Sequence, residues 1–437
     1  MQELIPETNI AVGLDIGTSR VCVVVAEKNE FCKLNVLAKE CSYADGIRRA
    51  TVININKTVE AIKASVAEIE SESSIVIHGV NVVLSGAYVH CMQSSAEISI
   101  NQTGIVNQSD VNRFLEIVGA NIENLAVNHE IIHVIPQEFI VDEGESLLDP
   151  IGMAGTTMRG TVYIVVGLTT KIRNIRQCVE RAGLKIGGLI FKPVALGMAV
   201  IKEREKKGGV LVIDIGAGST EIAIFLRGAI QYSEVINVAS NDITLDIAHG
   251  VKVHEEVAEE LKIKYGCADS RVSDQDEDIS IDTGEDLSHK IFPKSSLTMI
   301  IEARMMEIFE LVRDAVIVSG YYEEINAGVI LTGGGALLPG VVELAQLVFG
   351  LDVRIGYPES VAGGIKCSVN SPMDCTVMGL VAHVYGCNYS GNQSFASEIE
   401  APKEVSYEPV ENVFAEQEPN FAWKKVVGGF QDWWAKL

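Results

Sequence analysis

The sequence predicts an α/β protein made of two similar lobes, and three observations support this prediction. Residues 10–25 contain an apolar run that ends near Asp15, a few small polar residues, and a second apolar run. The same pattern returns at residues 210–226, where the first run delivers Asp214, and a third run at residues 328–336 ends in three glycines. Apolar, β-branched runs separated by tight turns are typical of strands. Two copies of one pattern predict two similar halves whose loops face each other across a cleft.

The two loops carry chemical groups that suit a phosphate-bearing ligand. Glycines let the backbone turn and expose its N–H groups, which together form an anion-binding nest, and hydroxyl groups add further donors. A carboxylate at the end of each strand is placed to hold a hydrated Mg²⁺. The candidate ligand-binding residues are Asp15, Gly17, Thr18 and Ser19 in the first loop, and Asp214, Gly216, Ala217, Gly218, Ser219 and Thr220 in the second.

Two better-known phosphate motifs do not match these loops. Neither loop is a P-loop, because no Gly-Lys-Ser/Thr follows, and neither is a dinucleotide fingerprint, because each opens onto a strand rather than a helix. A single Gly-rich hairpin most often has no ligand, so the prediction of phosphate binding depends on the presence of two such loops in the chain. The third run adds Gly333, Gly334 and Gly335, which allow the backbone to pass close under a flat ligand.

In this order and spacing, the three motifs resemble the actin, sugar-kinase and heat-shock ATPase superfamily. The resemblance implies an actin-like two-lobed fold of duplicated ribonuclease H-like domains. It also implies that the first two loops grip the phosphates of ATP, with Mg²⁺ held through water by Asp15 and Asp214, and that the third lies against the adenosine. Glu259 and Lys262 match the superfamily's Glu-x-x-Lys, which reaches the ribose and adenine. A solvated surface pair at i and i+3 of a helix is the alternative.

Residues 85 to about 166 break the pattern of the first half and predict a small inserted α/β subdomain. Residues 133–139 (HVIPQEF) and 149–155 (DPIGMAG) resemble the insert of the FtsA family, bacterial actin-like division proteins. The likeness runs from about residue 10 to 390 and resumes at the extreme C-terminus. The predicted organisation is a first lobe at 1–84, 167–196 and 362–390, the insert at 85–166, a second lobe with its core at 197–228 and 300–361 and a subdomain at 229–299, a linker at 391–419 and a terminal helix at 420–437.

The insert also contains a literal H-E-x-x-H, from His129 to His133. A zinc protease needs this motif on a helix, which puts both histidines on one face. The β-branched residues around it, and Pro136 soon after, favour a strand, in which the two histidines lie roughly 13 Å apart. We therefore interpret the motif as accidental.

Composition excludes several classes of protein. With 59 Asp and Glu against 35 Lys and Arg, the net charge of −24 argues against general nucleic-acid binding, which depends on cationic side chains. The nine cysteines are scattered without a C-x-x-C pair, which predicts reduced thiols in a cytosolic protein without a signal peptide. No apolar run is long enough to span a membrane. The acidic residues 269–286 predict a mobile loop.

The resemblance to the FtsA family implies a role in septum formation, within the divisome at the division site. A member binds ATP, polymerises at the inner face of the cytoplasmic membrane as a peripheral protein, anchors FtsZ filaments there by their C-terminal tail, and helps to recruit later division proteins. Arg304 and Glu307 match the family's Arg-x-x-Glu position for that tail; a plain surface ion pair is the alternative. Hydrolysis is expected to be slow at most, with Glu221 orienting a water, because residues 193–197 lack the Gln that actin places there.

The C-terminus has two contrasting parts. Residues 391–419 hold seven Glu, one Lys and three Pro, which predicts a disordered acidic linker. Residues 420–437 contain all three Trp and predict an amphipathic helix on an acidic lipid surface, with lysines meeting the headgroups. Its candidate membrane residues are Trp423, Val426, Val427, Phe430, Trp433, Trp434 and Leu437. A helix docked on its own domain is the alternative.

The competing predictions are other ATPases of the same superfamily. A sugar kinase needs a substrate carboxylate as base in the cleft, and no convincing sugar site is found. A heat-shock chaperone carries a β-rich peptide-binding domain, for which the chain is too short. An actin-like pilus-assembly protein lacks the strings of residues 133–155 and the Trp-rich end. The sequence leaves open the filament geometry, the importance of hydrolysis and which later proteins bind the insert.

Overall fold

A computed structural model of the chain describes residues 10–28, 34–123, 128–273, 278–282, 289–358, 361–362 and 369–386. The first lobe begins with β1 (Ile10–Ile16), β2 (Arg20–Lys28), β3 (Leu34–Tyr43), the short β4 (Ile47–Arg48) and β5 (Thr51–Val52), α1 (Ile55–Ser73) and β6 (Gly79–Leu84). Helix α1 starts where the Asn54 side chain accepts a hydrogen bond from Lys57 N, a typical N-cap. It buries Val59, Ile62 and Ile69 at helical spacing.

The inserted subdomain is a three-stranded antiparallel sheet with one helix. It consists of β7 (Val89–Ser99), α2 (Gln108–Glu123), β8 (His129–Val141) and β9 (Thr157–Leu168), with β9 between β7 and β8. Phe114, Phe139 and Met158 lie at the centre of its separate core. The H-E-x-x-H residues lie on β8, so the prediction of a strand there is confirmed.

The chain then returns to the first lobe and crosses to the second. The first lobe continues with α3 (Thr169–Arg181), β10 (Lys185–Phe191), α4 (Lys192–Val200) and α5 (Glu203–Gly208). The second lobe contains β11 (Val210–Ile215), β12 (Thr220–Leu226), β13 (Ala229–Ile236), α6 (Ser240–Val251), α7 (Glu255–Tyr265), β14 (Asp278–Asp282), β15 (His289–Pro293), α8 (Lys294–Ser319), β16 (Val329–Thr332), α9 (Val341–Phe349) and β17 (Val353–Ile355). Every residue of β11 is buried, which explains its uninterrupted apolar sequence.

The two main sheets share one topology. The first has the order β10-β6-β1-β2-β3, extended by β18 (Val361–Ala362), and the second has the order β17-β16-β11-β12-β13. In both, three consecutive antiparallel strands are followed by two parallel ones. The predicted duplication is therefore visible strand by strand. It places the loops after β1 and β11 at equivalent corners of the two lobes.

The last described helix, α10 (Cys375–Val384), completes the first lobe. Its residues from Cys375 to Ala382 are all buried, and Val377, Met378 and Val381 pack with residues of β1, β2 and β3. The buried Asp374 before it pairs with Lys39 at 2.6 Å and Arg20 at 3.4 Å. These ion pairs fix the start of α10 against β2 and β3.

Two predictions about local structure are wrong. The acidic residues 269–286 do not form one loop, because Asp278–Asp282 pairs with β15 as strand β14. The alternation of Ile279 and Ile281 with polar residues, both isoleucines buried, explains this strand. The prediction of reduced thiols fails for Cys22 and Cys41, which form a disulfide in this structure. They are directly opposed in the pairing of β2 and β3, which brings their Cα atoms to 4.1 Å.

The C-terminal predictions lie outside the described residues. These are the linker at 391–419 and the amphipathic helix at 420–437, with all seven candidate membrane residues. Within the described ranges, no helix has the length and apolar character needed to cross a bilayer.

Candidate functional site

The loops that follow β1 and β11 meet each other. A Cβ atom added at Gly218 would lie 2.7 Å from Thr18 Oγ1 and 3.1 Å from the Cα of Arg49. Thr18 Oγ1 also accepts a hydrogen bond from Ala50 N at 3.0 Å. Only a glycine therefore fits on the second loop at this approach. The two predicted phosphate loops therefore lie against each other.

The second loop presents free backbone donors. Its carbonyls are engaged, because Gly216 O accepts from Ser240 N at 3.1 Å and Ala217 O accepts from Asn241 N at 2.8 Å, both at the start of α6. Among the described residues, none accepts a hydrogen bond from the N–H groups of Ala217 or Gly218. The loop is thus held by its oxygens and by Gly216 N, which donates to Ser219 O, while the N–H groups of Ala217 and Gly218 stay available to an anion.

Three carboxylates lie around these loops. Asp214 is directly opposite Glu221 in the pairing of β11 and β12, and both are buried. Ser219 Oγ lies 3.0 Å from Glu221 Oε1 and donates to it. Asp15 ends the equivalent strand of the first lobe, and burial raises its pKa, against the opposing effect of Lys192 and Arg20. Burial likewise raises the pKa of Glu221, although the Lys192 ammonium opposes this.

Lys192 is the main site residue that sequence reasoning missed. Its ammonium forms an ion pair with Asp214 and lies 3.0 Å from Glu221 Oε2. Burial alone would lower the pKa of Lys192, but the carboxylates of Asp214, Glu221 and Asp15 outweigh it and hold the pKa above its usual value. The sequence offers one indication of this role, a single lysine between the apolar strand β10 and Pro193.

The glycines of the third run lie beside the second loop, because β16 pairs with β11. A Cβ added at Gly333 would be 2.5 Å from Asp214 Oδ1, and one at Gly335 would be 3.1 Å from Ser240 Oγ. Gly334 begins a short 3₁₀ helix between them. Ser240 Oγ is buried and has no hydrogen-bond partner in the described part of the chain. This orphaned hydroxyl also went unnoticed in the sequence.

Lys262 bonds to the backbone of the same serine, and Glu259 pairs with Lys262. Lys262 Nζ donates to Ser240 O at 3.1 Å and to Thr244 Oγ1 at 2.7 Å, and pairs with Glu259 at 2.6 Å. Lys262 is 7% exposed, whereas the Glu259 side chain is 42% exposed. Burial lowers the pKa of Lys262, and the ion pair with Glu259 opposes that shift. A buried lysine with several partners is more than a solvated surface pair.

Arg304 and Glu307 belong to a different surface. On α8, the Arg304 guanidinium makes a bidentate pair with Asp246 of α6, at 2.6 and 3.0 Å, and also contacts Glu307. They line a cavity of about 370 Å³ together with His249, Gly250, Ile300 and Ala303. This mixed lining of apolar and charged residues is suited to a peptide with both apolar and charged side chains. Sequence reasoning had not found Asp246.

Two family models match the chain. The model described as cell division protein FtsA matches residues 211–379, and the model of the SHS2 domain inserted in FtsA matches residues 86–166. The relatives that carry the name cell division protein FtsA include those of three bacteria. The relative from Borreliella burgdorferi is 37% identical, and the match covers 86% of this chain and 91% of the relative. The relative from Neisseria meningitidis is 35% identical, with 87% of this chain and 90% of the relative covered. The relative from Pseudomonas aeruginosa is 32% identical, with 90% and 96% covered.

Solved structures show the same fold at low identity. A chain of the PilM–PilN type IV pilus biogenesis complex has a TM-score of 0.62 at 18% identity, with 86% of this chain and 99% of that chain covered. MreB5 of Spiroplasma citri bound to ADP has a TM-score of 0.50 at 15% identity, with 86% and 95% covered. With the two matching sheets, these similarities confirm the predicted actin-like two-lobed fold, and the insert model confirms the inserted subdomain.

Proposed function

This chain belongs to the FtsA family of cell division proteins, and we propose that it binds Mg-ATP, polymerises, and tethers FtsZ filaments to the inner face of the cytoplasmic membrane. Its relatives carry the name of a cell division protein. The residues proposed for the FtsZ tail are Arg304 and Glu307 on α8, and the segment proposed for the membrane is residues 420–437. In this proposal the protein also helps to recruit later division proteins at the septum. The observation that carries the nucleotide part is the meeting of the two loops at Thr18 and Gly218.

The residues of the cleft fit a nucleotide. The free N–H groups of Ala217 and Gly218 suit phosphate oxygens, and the orphaned Ser240 Oγ suits a polar group at the other end of the site. Ser19 supplies a further, exposed hydroxyl group for the phosphates. Gly17 N donates to Arg20 O at 2.9 Å and Thr220 Oγ1 donates to Val238 O at 2.7 Å, so these two residues would shape the loops instead of donating to the ligand. Gly333 and Gly335 let this segment pack closely against Ile215 of β11, and Gly334, where an added Cβ would have no atom nearer than 3.9 Å, leaves room for a flat ring. Glu259 and Lys262 are the residues proposed for the ribose and base.

Asp15 and Asp214 are the residues that would hold Mg²⁺, through water molecules. When bound, the ion neutralises part of the phosphate charge. The nucleotide of the MreB5 structure supports ATP or ADP as the ligand class, since that protein shares the fold. Glu221 would orient a water, but its carboxylate is already engaged by Ser219 and Lys192. We therefore expect slow hydrolysis, with ATP acting mainly by favouring the assembled state.

The nucleotide part is tested by calorimetry on the double variant Asp15→Ala and Asp214→Ala. The gain in ATP affinity that Mg²⁺ provides should be lost, because the two carboxylates proposed to hold Mg²⁺ are then absent. Unchanged Mg-ATP affinity in the double variant would show that these residues do not form the site.

The tethering part is tested by co-sedimentation of the full chain with FtsZ filaments and acidic liposomes. The protein should carry FtsZ into the liposome pellet, and omission of the chain should leave FtsZ in the supernatant. Pelleting of FtsZ that does not depend on the chain would contradict the tethering role. The pilus-assembly alternative rests on the shared fold alone, at 18% identity.

A further inference from the structure

Lys192 belongs to a cluster of charged side chains that come from both lobes. It is the first residue of α4, directly after strand β10 of the first lobe, and its side chain is 12% exposed. Its ammonium forms an ion pair with Asp214 of β11 and lies 3.0 Å from Glu221 Oε2 of β12. Both carboxylates belong to the second lobe and are 4% and 1% exposed.

Asp214 and Glu221 need a cation whether or not a ligand is bound. They are opposed in the pairing of β11 and β12, so two negative charges are held close together out of water. Such a pair is unfavourable unless a positive charge compensates it. Among the described residues, Lys192 is the one cation within ion-pair distance of either carboxylate. The fold therefore fills this position with a side chain of its own.

The same position is the one assigned above to the divalent ion, because Asp214 is one of its proposed holders. We propose that Lys192 is the resident counter-cation of this cluster and makes nucleotide binding depend less on Mg²⁺ than the carboxylates alone would. The inference rests on the proposed nucleotide function. Lysine is a compact point charge with three donors, so one ammonium can serve both carboxylates and an incoming phosphate.

The test uses the full chain with Lys192→Met, which keeps the length and apolar stem of the side chain but removes its charge. Lys192→Arg keeps the charge. Lys39→Met is the matched control, because Lys39 forms a comparable ion pair with the buried Asp374 instead of with Asp214 or Glu221. For each protein, the dissociation constant of ATP is measured by calorimetry in Mg²⁺ and in excess EDTA. The quantity compared between proteins is the dissociation constant in EDTA divided by that in Mg²⁺.

We expect this ratio to be no more than about ten in the unmodified protein and in the Lys39→Met control. In Lys192→Met it should be about tenfold or more larger than in the unmodified protein, because one positive charge near the phosphates is lost. Lys192→Arg should stay near the unmodified value. Equal ratios in the unmodified and Lys192→Met proteins would overturn the inference. So would a ratio above about a hundredfold in the unmodified protein, a result that needs no variant to fold.

A second measurement works without nucleotide. Mg²⁺ alone should raise the unfolding temperature of Lys192→Met more than that of the unmodified protein, because the ion then takes the vacated place between the carboxylates; NaCl of equal ionic strength should not. Equal shifts in both proteins would overturn the inference while leaving nucleotide binding intact. Absence of ATP binding by the unmodified protein in Mg²⁺ would instead overturn the proposed nucleotide function, and this inference with it.

Discussion

At the scale of single residues, Gly218 controls how closely the two phosphate loops approach. It belongs to the second lobe, yet the atoms nearest to an added Cβ are Thr18 Oγ1, Thr18 Cγ2 and the Cα of Arg49, all in the first lobe. Glycine is therefore needed at this position for the close contact between the two lobes, and not for the shape of the turn itself.

Gly218→Ala should weaken ATP binding by about tenfold or more, because forcing a methyl group against Thr18 costs about 1–3 kcal/mol when the two loops lie as close as they do here. The matched control is Gly208→Ala, where the nearest atom to an added Cβ is 3.9 Å away. Calorimetric titration of both variants with Mg-ATP checks this. Similar losses in the two variants would show that the approach of the loops does not matter for the ligand.

At the scale of elements, the insert is docked on the edge strand β13 of the second lobe. Tyr163 Oη and Ser233 Oγ are 2.9 Å apart, and the buried Gln137 donates from Nε2 to Ile230 O at 2.9 Å. Gln137 Oε1 is buried without a partner among the described residues. An edge strand offers unpaired backbone groups, and Gln137 satisfies one of them.

Gln137→Ala should destabilise the docked insert by about 1–3 kcal/mol, since it leaves the carbonyl of Ile230 buried without its donor. Gln93→Ala is the control, because Gln93 is exposed and its bonds to Gln231 O and Tyr321 Oη are longer, at 3.5 and 3.3 Å. Thermal unfolding and protease digestion of the insert provide the measurement. A larger effect of the Gln93 substitution would contradict this account of the docking.

Helix α8 carries the surface proposed for the FtsZ tail. Arg304→Ala should weaken binding of an FtsZ tail peptide by about tenfold or more, because Arg304 is a part-buried arginine on the cavity wall. Arg313→Ala is the control on the same helix; Arg313 pairs only loosely with Asp314, at 3.6 Å. Fluorescence anisotropy with a labelled peptide compares them. Equal affinities of the two variants would place the tail elsewhere.

The elements differ in how far the sequence predicts them. Strands β1 and β11 are predictable because a local run of β-branched residues is enough to specify them. Strand β14 is missed because acidic neighbours mask a two-isoleucine alternation. The roles of Lys192 and Ser240 are missed for a different reason: they depend on contacts between distant segments, Lys192 with Asp214 and Ser240 with Lys262 and Gly335. No local pattern records such contacts.

At the scale of the whole molecule, the acidic chain of net charge −24 is proposed to bind an acidic lipid surface. Long-range electrostatics oppose that contact, so the anchor must be local and apolar. Residues 420–437, outside the described part of the chain, have the required composition, with Trp423, Trp434 and three lysines.

Trp434→Glu should lower binding to acidic liposomes by about tenfold or more, because it places a carboxylate in the centre of the predicted apolar face. Truncation after Pro419 should abolish binding. Liposome sedimentation measures both, and calorimetry should find Mg-ATP binding unchanged in both. If the truncated protein still pelleted with liposomes, the anchor would lie elsewhere in the chain.

The late position of α10 has a consequence for synthesis of the protein on the ribosome. The sheet of the second lobe is encoded without interruption between Val210 and Ile355, whereas the first lobe lacks α10 until residue 384 has been made. The lobe whose synthesis begins first is therefore completed last, and the apolar surface that α10 covers stays exposed to solvent until α10 has been made. Chains that end at residue 358 and have been released from the ribosome, so that all of the second lobe is free to fold, should resist protease within residues 210–355 but be cut within β1–β3; equal protection of both regions would contradict this order.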